Sequence, residues 1–326
     1  MTYLKIHFLN VGHGDCTIID FPNRLTIVDI NNCKTLAAPT RAELRNRYGA
    51  SWESILGGPG YADARVDKDQ SRLVDPVDYL KTHFPGRSIF RYVQSHPDMD
   101  HMGGLYRLGQ ESFIIQNFWD TDNSISKEME LSKWAQVNHD EKDWDRYQDF
   151  HTEKFSDCKL LKLTQGAQAQ FYMDDGISIW APFENEKAGD PDADPNYFSY
   201  VLQIQYGDCS IVIGGDLASD MWDKLLERNN RTLPKVHLLK ASHHGRKSGY
   251  SREAVKAMNP DLTVCSVGEL RSKDDASASY ERFSVHGCFS TIDHGTVVAK
   301  CWSDGDVWLE NSEGHAIART RYPMPT

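Results

Sequence analysis

Residues 94–104 read QSHPDMDHMGG, and this stretch places four potential metal ligands within six residues: His96, Asp98, Asp100 and His101. A helix cannot bring all four together, because side chains two positions apart lie on different faces of a helix. The stretch follows an apolar run that ends at Ser95 and leads into Gly103 and Gly104, which favours a loop at a strand end. Imidazole nitrogen and carboxylate oxygen are good ligands for Zn²⁺ or Mn²⁺. A solvated acidic turn with a chance pair of histidines is the alternative interpretation.

Other apolar runs in the chain also end in aspartate or histidine. Asp29 closes the run LTIVDI (25–30), and Asp216 closes IVIGGD (211–216). His243 and His244 close VHLLKASHHG (236–245). Strands that finish in this way indicate that several strands deliver ligands to one rim of a sheet, which favours a metal site over the chance turn.

The order of elements predicts the fold class. Predicted strands cover residues 4–12, 15–21, 25–30, 88–96, 114–119, 167–173, 176–183, 200–207, 209–216 and 261–267, followed by a C-terminal hairpin. Predicted helices cover residues 71–84, with Pro76 as a possible start, and residues 126–155, 218–229 and 251–259. We expect an α+β fold of two packed sheets with helices outside, a four-layer αββα sandwich. We also expect a single domain over residues 1–326, with insertions at about 33–70 and 120–160.

Composition limits the class of protein. Of the 326 residues, 40% are hydrophobic, enough for a large core, and no apolar run reaches the roughly 18 residues of a membrane helix. The N-terminus MTYLKIHFLNVG does not read as a signal peptide, so we expect a cytoplasmic protein. The seven cysteines form no CxxC pair and are interpreted as buried free thiols. A net charge of −11 disfavours a sequence-independent grip on nucleic acid but permits an enzyme that meets phosphates through metal ions.

SHPDMDH (95–101) resembles the HxHxDH signature of the metallo-β-lactamase superfamily, with Asp98 in place of the second histidine. FLNVGHGDCTIID (8–20) resembles the VGQGDA opening of the hydrolase domain of the competence protein ComEC. IVIGGDL, LLKASHHGRKSG and the C-terminal segment that begins at VCSVG also resemble that branch. The resemblance implies an αββα fold and a hydrolase with one or two metal ions.

Carried over position by position, the resemblance also implies the ligand set. His96 and Asp98 would hold one ion, and Asp216 would bridge the two. Asp100 and His101 would hold the second ion, with a further ligand from His243. Asp29 would lie behind the ions and orient a ligand by a hydrogen bond.

The adjacent histidines have side chains that we expect to diverge. We favour His243 as the ligand and leave His244 to contact substrate or to protonate a leaving group. Asp100, His244 and Asp29 are therefore the residues assigned to catalysis. Lys240, Arg246 and Lys247 surround this pair and form either a phosphate clamp or a basic, solvated loop.

The sequence departs from the superfamily pattern in three places. Asp98 makes the first metal site richer in oxygen, which favours Mn²⁺ somewhat over Zn²⁺. The usual histidine upstream of Asp216 is missing, and Asn196 and Ser199 stand in that region as candidate substrate-binding residues. His13 stands where the ComEC-like branch usually has glutamine, and it either faces the site or belongs to a loop.

Two divalent ions, Zn²⁺ or Mn²⁺, roughly 3.5–4 Å apart would share a hydroxide that attacks an ester carbonyl or a phosphorus centre. Neither GxSxG nor a P-loop occurs, so a covalent hydrolase or an NTPase has no support. The first hypothesis is a phosphodiesterase or nuclease acting on nucleic acid or a nucleotide. The alternative is a hydrolase of a small ester, lactone or thioester. A hypothesis of another class is a metal-binding regulatory or interaction module, whose insertions contact a protein partner. No membrane association is expected.

Overall fold

The computed structural model describes residues 3–133, 139–184, 189–190, 193–267 and 273–321. The strands are β1 (Tyr3–Phe8), β2 (Thr17–Asp20), β3 (Leu25–Val28), β4 (Ile89–Val93), β5 (Ile115–Asp120), β6 (Lys159–Lys162), β7 (Ile177–Ala181), β8 (Val201–Tyr206), β9 (Cys209–Ile213), β10 (Leu238–Lys240), β11 (Leu262–Cys265), β12 (Cys288–Ser290), β13 (Val297–Trp302), β14 (Val307–Asn311) and β15 (Ala316–Arg319). The helices are α1 (Ala38–Gly49), α2 (Trp52–Gly57), α3 (Tyr61–Ser71), α4 (Pro76–His83), α5 (Leu105–Gln110), α6 (Lys127–Lys133), α7 (Glu141–His151), α8 (Gln170–Met173), α9 (Ser219–Arg228), α10 (Arg252–Met258), α11 (Ser277–Phe283) and α12 (Thr291–His294).

Within the described residues the strands form two sheets. The first sheet has the order β15-β14-β13-β1-β2-β3-β4-β5-β6, and the second has the order β12-β11-β10-β9-β8-β7. The neighbours from β3 to β6 are parallel, as are those from β9 to β12. In a parallel set all carboxyl ends lie at one edge, so loops that leave these strands meet there.

Three hydrophobic clusters show how the layers pack. The central cluster joins inward side chains of both sheets, such as Ile6 and Val93 with Ile179 and Ile211. A second cluster lies between the outer face of the first sheet and helices α4, α5 and α7. A third lies between the outer face of the second sheet and helices α9 and α10. The predicted four-layer αββα sandwich is confirmed by this order of helix, sheet, sheet and helix.

Local signals explain several element boundaries. Helix α4 begins at Pro76, as predicted, and the Asp75 carboxylate caps it by accepting hydrogen bonds from the backbone N–H groups of Val77 (3.0 Å) and Asp78 (3.2 Å). The strand predicted at 167–173 is wrong, because a short helix, α8, occupies Gln170–Met173. Its alternating sequence fits a strand, but its chain turns back to start β7.

The two segments predicted as insertions are largely helical and pack at different sheets: Leu44 and Val66 of the first belong to the cluster at the second sheet, whereas Trp144 and Tyr147 of the second belong to the cluster at the first sheet. Residues 33–70 contain α1, α2 and most of α3, which pack against one another. Residues 120–160 contain α6 and α7, so the single long helix predicted over 126–155 is wrong in the described part; its centre at 134–138 lies outside the described residues. The segment also ends in β6, which pairs parallel to β5.

All seven cysteines are free; four are buried, and Cys33, Cys158 and Cys288 are half-buried. In the part of the chain that the structure describes, no helix combines the length and apolar character needed to cross a membrane.

Candidate metal centre

The loop 94–104 leaves the carboxyl end of β4 and is pinned from several sides. The buried side chain of Gln94 donates from Nε2 to the carbonyl oxygens of His96 (2.9 Å) and His101 (3.2 Å), so it spans the loop. The backbone N–H of Met99 donates to Oε1 of Glu130 at 2.9 Å. These bonds fix the conformation of the loop that carries His96, Asp98, Asp100 and His101. The loop contains a single 3₁₀ turn, Met99–His101.

His101 is oriented by a carboxylate on its outer nitrogen. Nδ1 of His101 lies 2.8 Å from Oδ2 of Asp29, which follows β3 and also accepts hydrogen bonds from the N–H and Oγ–H of Ser95, both at 2.7 Å. With Nδ1 engaged, Nε2 of His101 points inward and lies 3.3 Å from Asp216 and 3.7 Å from Asp100. The carboxylate thus fixes which nitrogen faces the centre.

His96 and Asp216 approach the same point from the two sheets. The Ser95 hydroxyl lies 2.9 Å from Nδ1 of His96, leaving Nε2 of that ring for the interior. Asp216 follows β9, and its backbone N–H donates to Oγ of the buried Ser199 at 2.7 Å. Gly215 in this turn has φ +48°, and a Cβ there would collide with the Ser199 hydroxyl, so the turn requires glycine.

The adjacent histidines after β10 both face Asp216. His243 and His244 have φ of 49° and 57°, in the left-handed region that costs a non-glycine residue energy. Nε2 of the buried His244 lies 3.2 Å from Asp216 and 3.3 Å from Asp100. Nε2 of His243 lies 3.8 Å from Asp216, and its Nδ1 lies 2.8 Å from the Ser248 hydroxyl. His244 is therefore the nearer of the two, although the sequence favoured His243.

A residue that the sequence did not assign to the metal site, Asp15, lies at its base. Ligand atoms of Asp15, His101, Asp216 and His244 all lie within 4.8 Å of one another, and all four residues are buried. Lys240 forms an ion pair with Oδ2 of Asp15. The GHGDC segment carried the only available signal for Asp15, through its resemblance to VGQGDA.

Electrostatics separates the histidines into two kinds. Burial opposes protonation of His101 and His244, but the Asp216 carboxylate, with Asp29 and Asp15 respectively, holds the pKa of both rings well above the usual value. Burial instead lowers the pKa of His96 well below its usual value and that of His243 to about 4. Burial also opposes ionisation of Asp216, yet the His244 and His101 rings hold its pKa well below its usual range.

The residues present fit divalent metal ions. Among the described residues, Nε2 of His96, His101 and His244 and Oδ1 of Asp216 are buried without a hydrogen-bond partner. Such atoms are costly to leave unsatisfied, and a bound cation would satisfy all of them. Nitrogen and carboxylate oxygen together suit Zn²⁺ or Mn²⁺, and metal binding would displace the protons that His101 and His244 hold.

The remaining predicted residues lie at different distances from this centre. Asp98 is buried in the loop but is not one of the four clustered residues. Asn196 is half-buried and donates from Nδ2 to Asp194 at 2.9 Å. Lys240 is buried, so no substrate reaches it from solvent, whereas Lys247 is exposed and donates to the Lys273 carbonyl oxygen at 2.6 Å.

His13 lies at the mouth of the centre. Its Nε2 is 3.1 Å from Oδ2 of Asp100, and its Nδ1 is 3.2 Å from a guanidinium nitrogen of Arg246. A second histidine, His139 of the 120–160 segment, lies close enough for the charges of Asp100 and His13 to act on its ring. Burial lowers the pKa of His139. Nothing local in the sequence of its segment signals this position.

No protein-family model and no curated protein matches the chain. Among solved structures, it resembles the metallo-β-lactamase fold protein YhfI from Bacillus subtilis at 9% identity, with a TM-score of 0.43, over 88% of this chain and 95% of that one. It also resembles Igni18, a metallo-hydrolase from Ignicoccus hospitalis, at 13% identity, with a TM-score of 0.45, over 91% of this chain and 98% of that one. A diphosphatase of the PhnP family matches at 10% identity, with a TM-score of 0.40, over 88% of this chain and 94% of that one. Similarity at this level carries no argument about reaction or substrate.

Proposed function

We propose that the protein is a metal-dependent hydrolase that cleaves phosphodiesters, in nucleic acid or in a nucleotide. The observation that carries the proposal is the convergence of buried imidazole Nε2 atoms from His101 and His244 on the carboxylates of Asp100 and Asp216. The ring of His96, whose buried Nε2 also has no hydrogen-bond partner, lies against the ring of His101. Protein interiors do not retain such unsatisfied groups without a use, and a hydrolytic metal centre is one that needs this donor set.

The donor set supports divalent ions, Zn²⁺ or Mn²⁺, and we propose that two are bound. Five buried aspartates lie in or behind the cluster, namely Asp15, Asp29, Asp98, Asp100 and Asp216, and the buried Lys240 is paired with one of them. Carboxylate oxygen together with imidazole nitrogen is a donor set that such ions take. We propose His96, Asp98, Asp100, His101, Asp216 and one or both of His243 and His244 as the ligands. When bound, the ions would supply Lewis acidity and a water molecule of lowered pKa.

The chain's own groups hold these ligands and position a proton at the mouth. A guanidinium only donates hydrogen bonds, so Nδ1 of His13 accepts from Arg246. The proton of a neutral His13 ring is then on Nε2, which donates to Oδ2 of Asp100. This bond would orient the Asp100 carboxylate, while Ser199 fixes the backbone of Asp216 from the other side.

Arg246 favours a phosphodiester over an uncharged ester. It is half-buried beside the mouth, and its planar guanidinium is suited to bind two phosphoryl oxygens. The exposed Lys247 extends this positive edge. The ComEC-like motifs and the oxygen-rich position of Asp98 support the same substrate class. A small ester, lactone or thioester remains the alternative substrate because it needs no cationic partner.

A partner-binding role for the first insertion has its own observation. Three large apolar side chains of α2 are exposed, namely Trp52 at 67%, Ile55 at 82% and Leu56 at 77%. Exposed apolar patches of this kind often mark interaction sites. We therefore propose that residues 33–70 and 120–160 are insertions into one domain, and that the first contacts a protein partner. A cytoplasmic location remains a prediction from the sequence.

The test is hydrolysis of bis-p-nitrophenyl phosphate and of short single- and double-stranded DNA and RNA. Metal-stripped protein receives Mn²⁺ or Zn²⁺, and Asp100→Ala and His101→Ala are compared with the surface control Asp174→Ala. We expect metal-dependent cleavage that both site variants lose and the control retains. If the protein binds metal but cleaves only p-nitrophenyl acetate or a lactone, the phosphodiester proposal is wrong. If it binds metal and hydrolyses none of these substrates, the result favours the hypothesis of a metal-binding interaction module.

A further inference from the structure

The buried ion pair of Lys240 and Asp15 at the base of the centre is not part of the proposed ligand set, although Asp15 lies in the cluster of four buried residues. Lys240 is the last residue of β10 and is 1% exposed, as is Asp15 in the loop after β1. Nζ of Lys240 bonds to Oδ2 of Asp15. Removing both charges from water is costly, and apolar residues of the same size often stabilise a fold equally well. The pair therefore calls for a functional explanation.

Asp15 connects this pair to the centre. Its backbone N–H donates to the carbonyl oxygen of Asp100 at 3.2 Å, which ties its loop to the loop 94–104. Its Oδ2 lies 3.6 Å from Nδ1 of His244, the ring whose Nε2 faces Asp216 and Asp100. Its Oδ1 is buried without a hydrogen-bond partner among the described residues.

The arrangement resembles the one around His101, with a longer contact. There, Asp29 lies 2.8 Å from Nδ1 of the ring, and Nε2 faces the same two carboxylates. Asp29 is held in place by the Ser95 N–H and hydroxyl. Asp15 has the corresponding place behind His244, but at 3.6 Å its carboxylate is beyond hydrogen-bond distance of Nδ1 and acts on the ring through its charge. Lys240 has the position of the anchoring donor.

Building on the proposed metal-dependent function, we propose that Asp15 and Lys240 are positioning residues of the metal centre. Lys240 holds one carboxylate oxygen of Asp15, and Asp15 in turn orients the His244 ring so that Nε2 is presented to the ions. Lys240 also supplies a fixed positive charge, which offsets the negative charge of the Asp15 carboxylate beside the other four aspartates. The pair is thus predicted to set metal affinity without being a ligand.

The experiment measures the affinity and stoichiometry of Mn²⁺ and Zn²⁺ on metal-stripped full-length protein by calorimetry and elemental analysis. The variants are Asp15→Asn, Lys240→Met, Lys240→Arg and the double variant Asp15→Asn with Lys240→Met. Arg91→Met is the matched control, because Arg91 is also a fully buried cation, but its partner is Asp175, 2.9 Å away and outside the cluster. Thermal unfolding of each metal-free variant shows whether it folds.

We expect Asp15→Asn and Lys240→Met each to weaken binding by about 10- to 100-fold with stoichiometry unchanged. The double variant should bind no more weakly than Asp15→Asn, since the two residues act as one unit. Lys240→Arg keeps a cation and should bind more tightly than Lys240→Met. Arg91→Met should lower the unfolding temperature and leave affinity unchanged. If Lys240→Met fails to fold, the comparison of Asp15→Asn with Lys240→Arg still decides the matter.

Three results would overturn the inference. Wild-type affinity in a folded Lys240→Met or Asp15→Asn would make the pair merely structural. Loss of one ion from the stoichiometry of Asp15→Asn would make Asp15 a ligand. Wild-type protein that binds neither metal would refute the proposed function itself, whereas wild-type binding with unaffected variants refutes only the positioning role.

Discussion

Replacing Asp29 with asparagine tests whether the group behind His101 controls metal binding. The carboxylate accepts three hydrogen bonds, two from Ser95 and one from Nδ1 of His101 at 2.8 Å. The substituted asparagine would keep the shape and tolerate the φ of +59° at this position, since asparagine enters the left-handed region readily. It would lose the charge, and its single oxygen cannot serve Ser95 and His101 equally.

The size of the effect follows from the bond that is lost. A hydrogen bond to a charged group contributes roughly 1.5–3 kcal/mol. Among the described residues, Asp29 is the only carboxylate partner of Nδ1 of His101. At about 1.4 kcal/mol per tenfold change, metal affinity should fall by about 10- to 150-fold. The effect reaches the metal because an undirected ring no longer presents Nε2 in a fixed place.

Calorimetric titration of metal-stripped Asp29→Asn with Mn²⁺ and with Zn²⁺ measures the change. Asp175→Asn is the control, since this carboxylate also binds cationic groups, the half-buried Arg24 at 3.1 Å and the buried Arg91 at 2.9 Å, but lies outside the cluster. Near-ultraviolet circular dichroism reports whether the variant keeps its packing. A folded Asp29→Asn protein that binds both metals within about threefold of wild type would refute the reasoning.

Two further predictions concern stability and the Asp216 turn. Burial, with the charges of Lys5 and His83, lowers the pKa of His7 to about 3, below the unfolded value of 6.5, so its contribution to stability is present above pH 6.5 and is lost as the pH falls toward 3. Between pH 7 and pH 5 the free energy of unfolding of the metal-free protein should fall by about 2 kcal/mol more than that of metal-free His7→Asn. The asparagine keeps an acceptor for the Tyr79 hydroxyl. Equal losses of unfolding free energy, measured with urea, would contradict this prediction. Gly215→Ala should weaken metal binding, because its Cβ would lie 2.6 Å from the Tyr200 carbonyl oxygen and displace Ser199 from the Asp216 N–H. Unchanged affinity in the folded variant would show that this turn adapts.

Much of the fold could be predicted because its strands are apolar and well separated by turns. The order of strands in the two halves indicated the αββα architecture, and Pro76 marked the start of α4. Apart from the long helix predicted over 126–155, two of the errors fall on short elements. Strand β6 has only four residues, KLLK, and forms because β5 is beside it, while α8 has an alternating sequence that local pattern alone assigns to a strand.

The sequence indicated several residues of the candidate centre but not the groups that support them. His96, Asp100, His101 and Asp216 stand at strand ends, and the structure brings them together. Asp15 was missed because its significance depends on Lys240, 225 residues later. Lys240 was expected at the surface as a phosphate clamp, since a lysine beside Arg246 and Lys247 fits a basic loop. Its burial follows from the central position of β10 in the second sheet, which sequence alone does not reveal.

The partner on Nδ1, more than the motif, distinguishes the four histidines of the centre. His101 has the Asp29 carboxylate there at 2.8 Å, and His244 has the Asp15 carboxylate nearby at 3.6 Å, beyond hydrogen-bond distance. The negative charges around these two rings hold the pKa of both well above the usual value. His96 and His243 have hydroxyls there, from Ser95 and Ser248, and burial lowers the pKa of both. Because a carboxylate makes an imidazole a more basic ligand than a hydroxyl does, the chain has built two unequal pairs of nitrogen donors around Asp216. That inequality is set by residues at the ends of β3 and β4 and in the loops after β1 and β10. The fold itself, through the strand ends that it brings together, therefore determines how each of these imidazoles behaves.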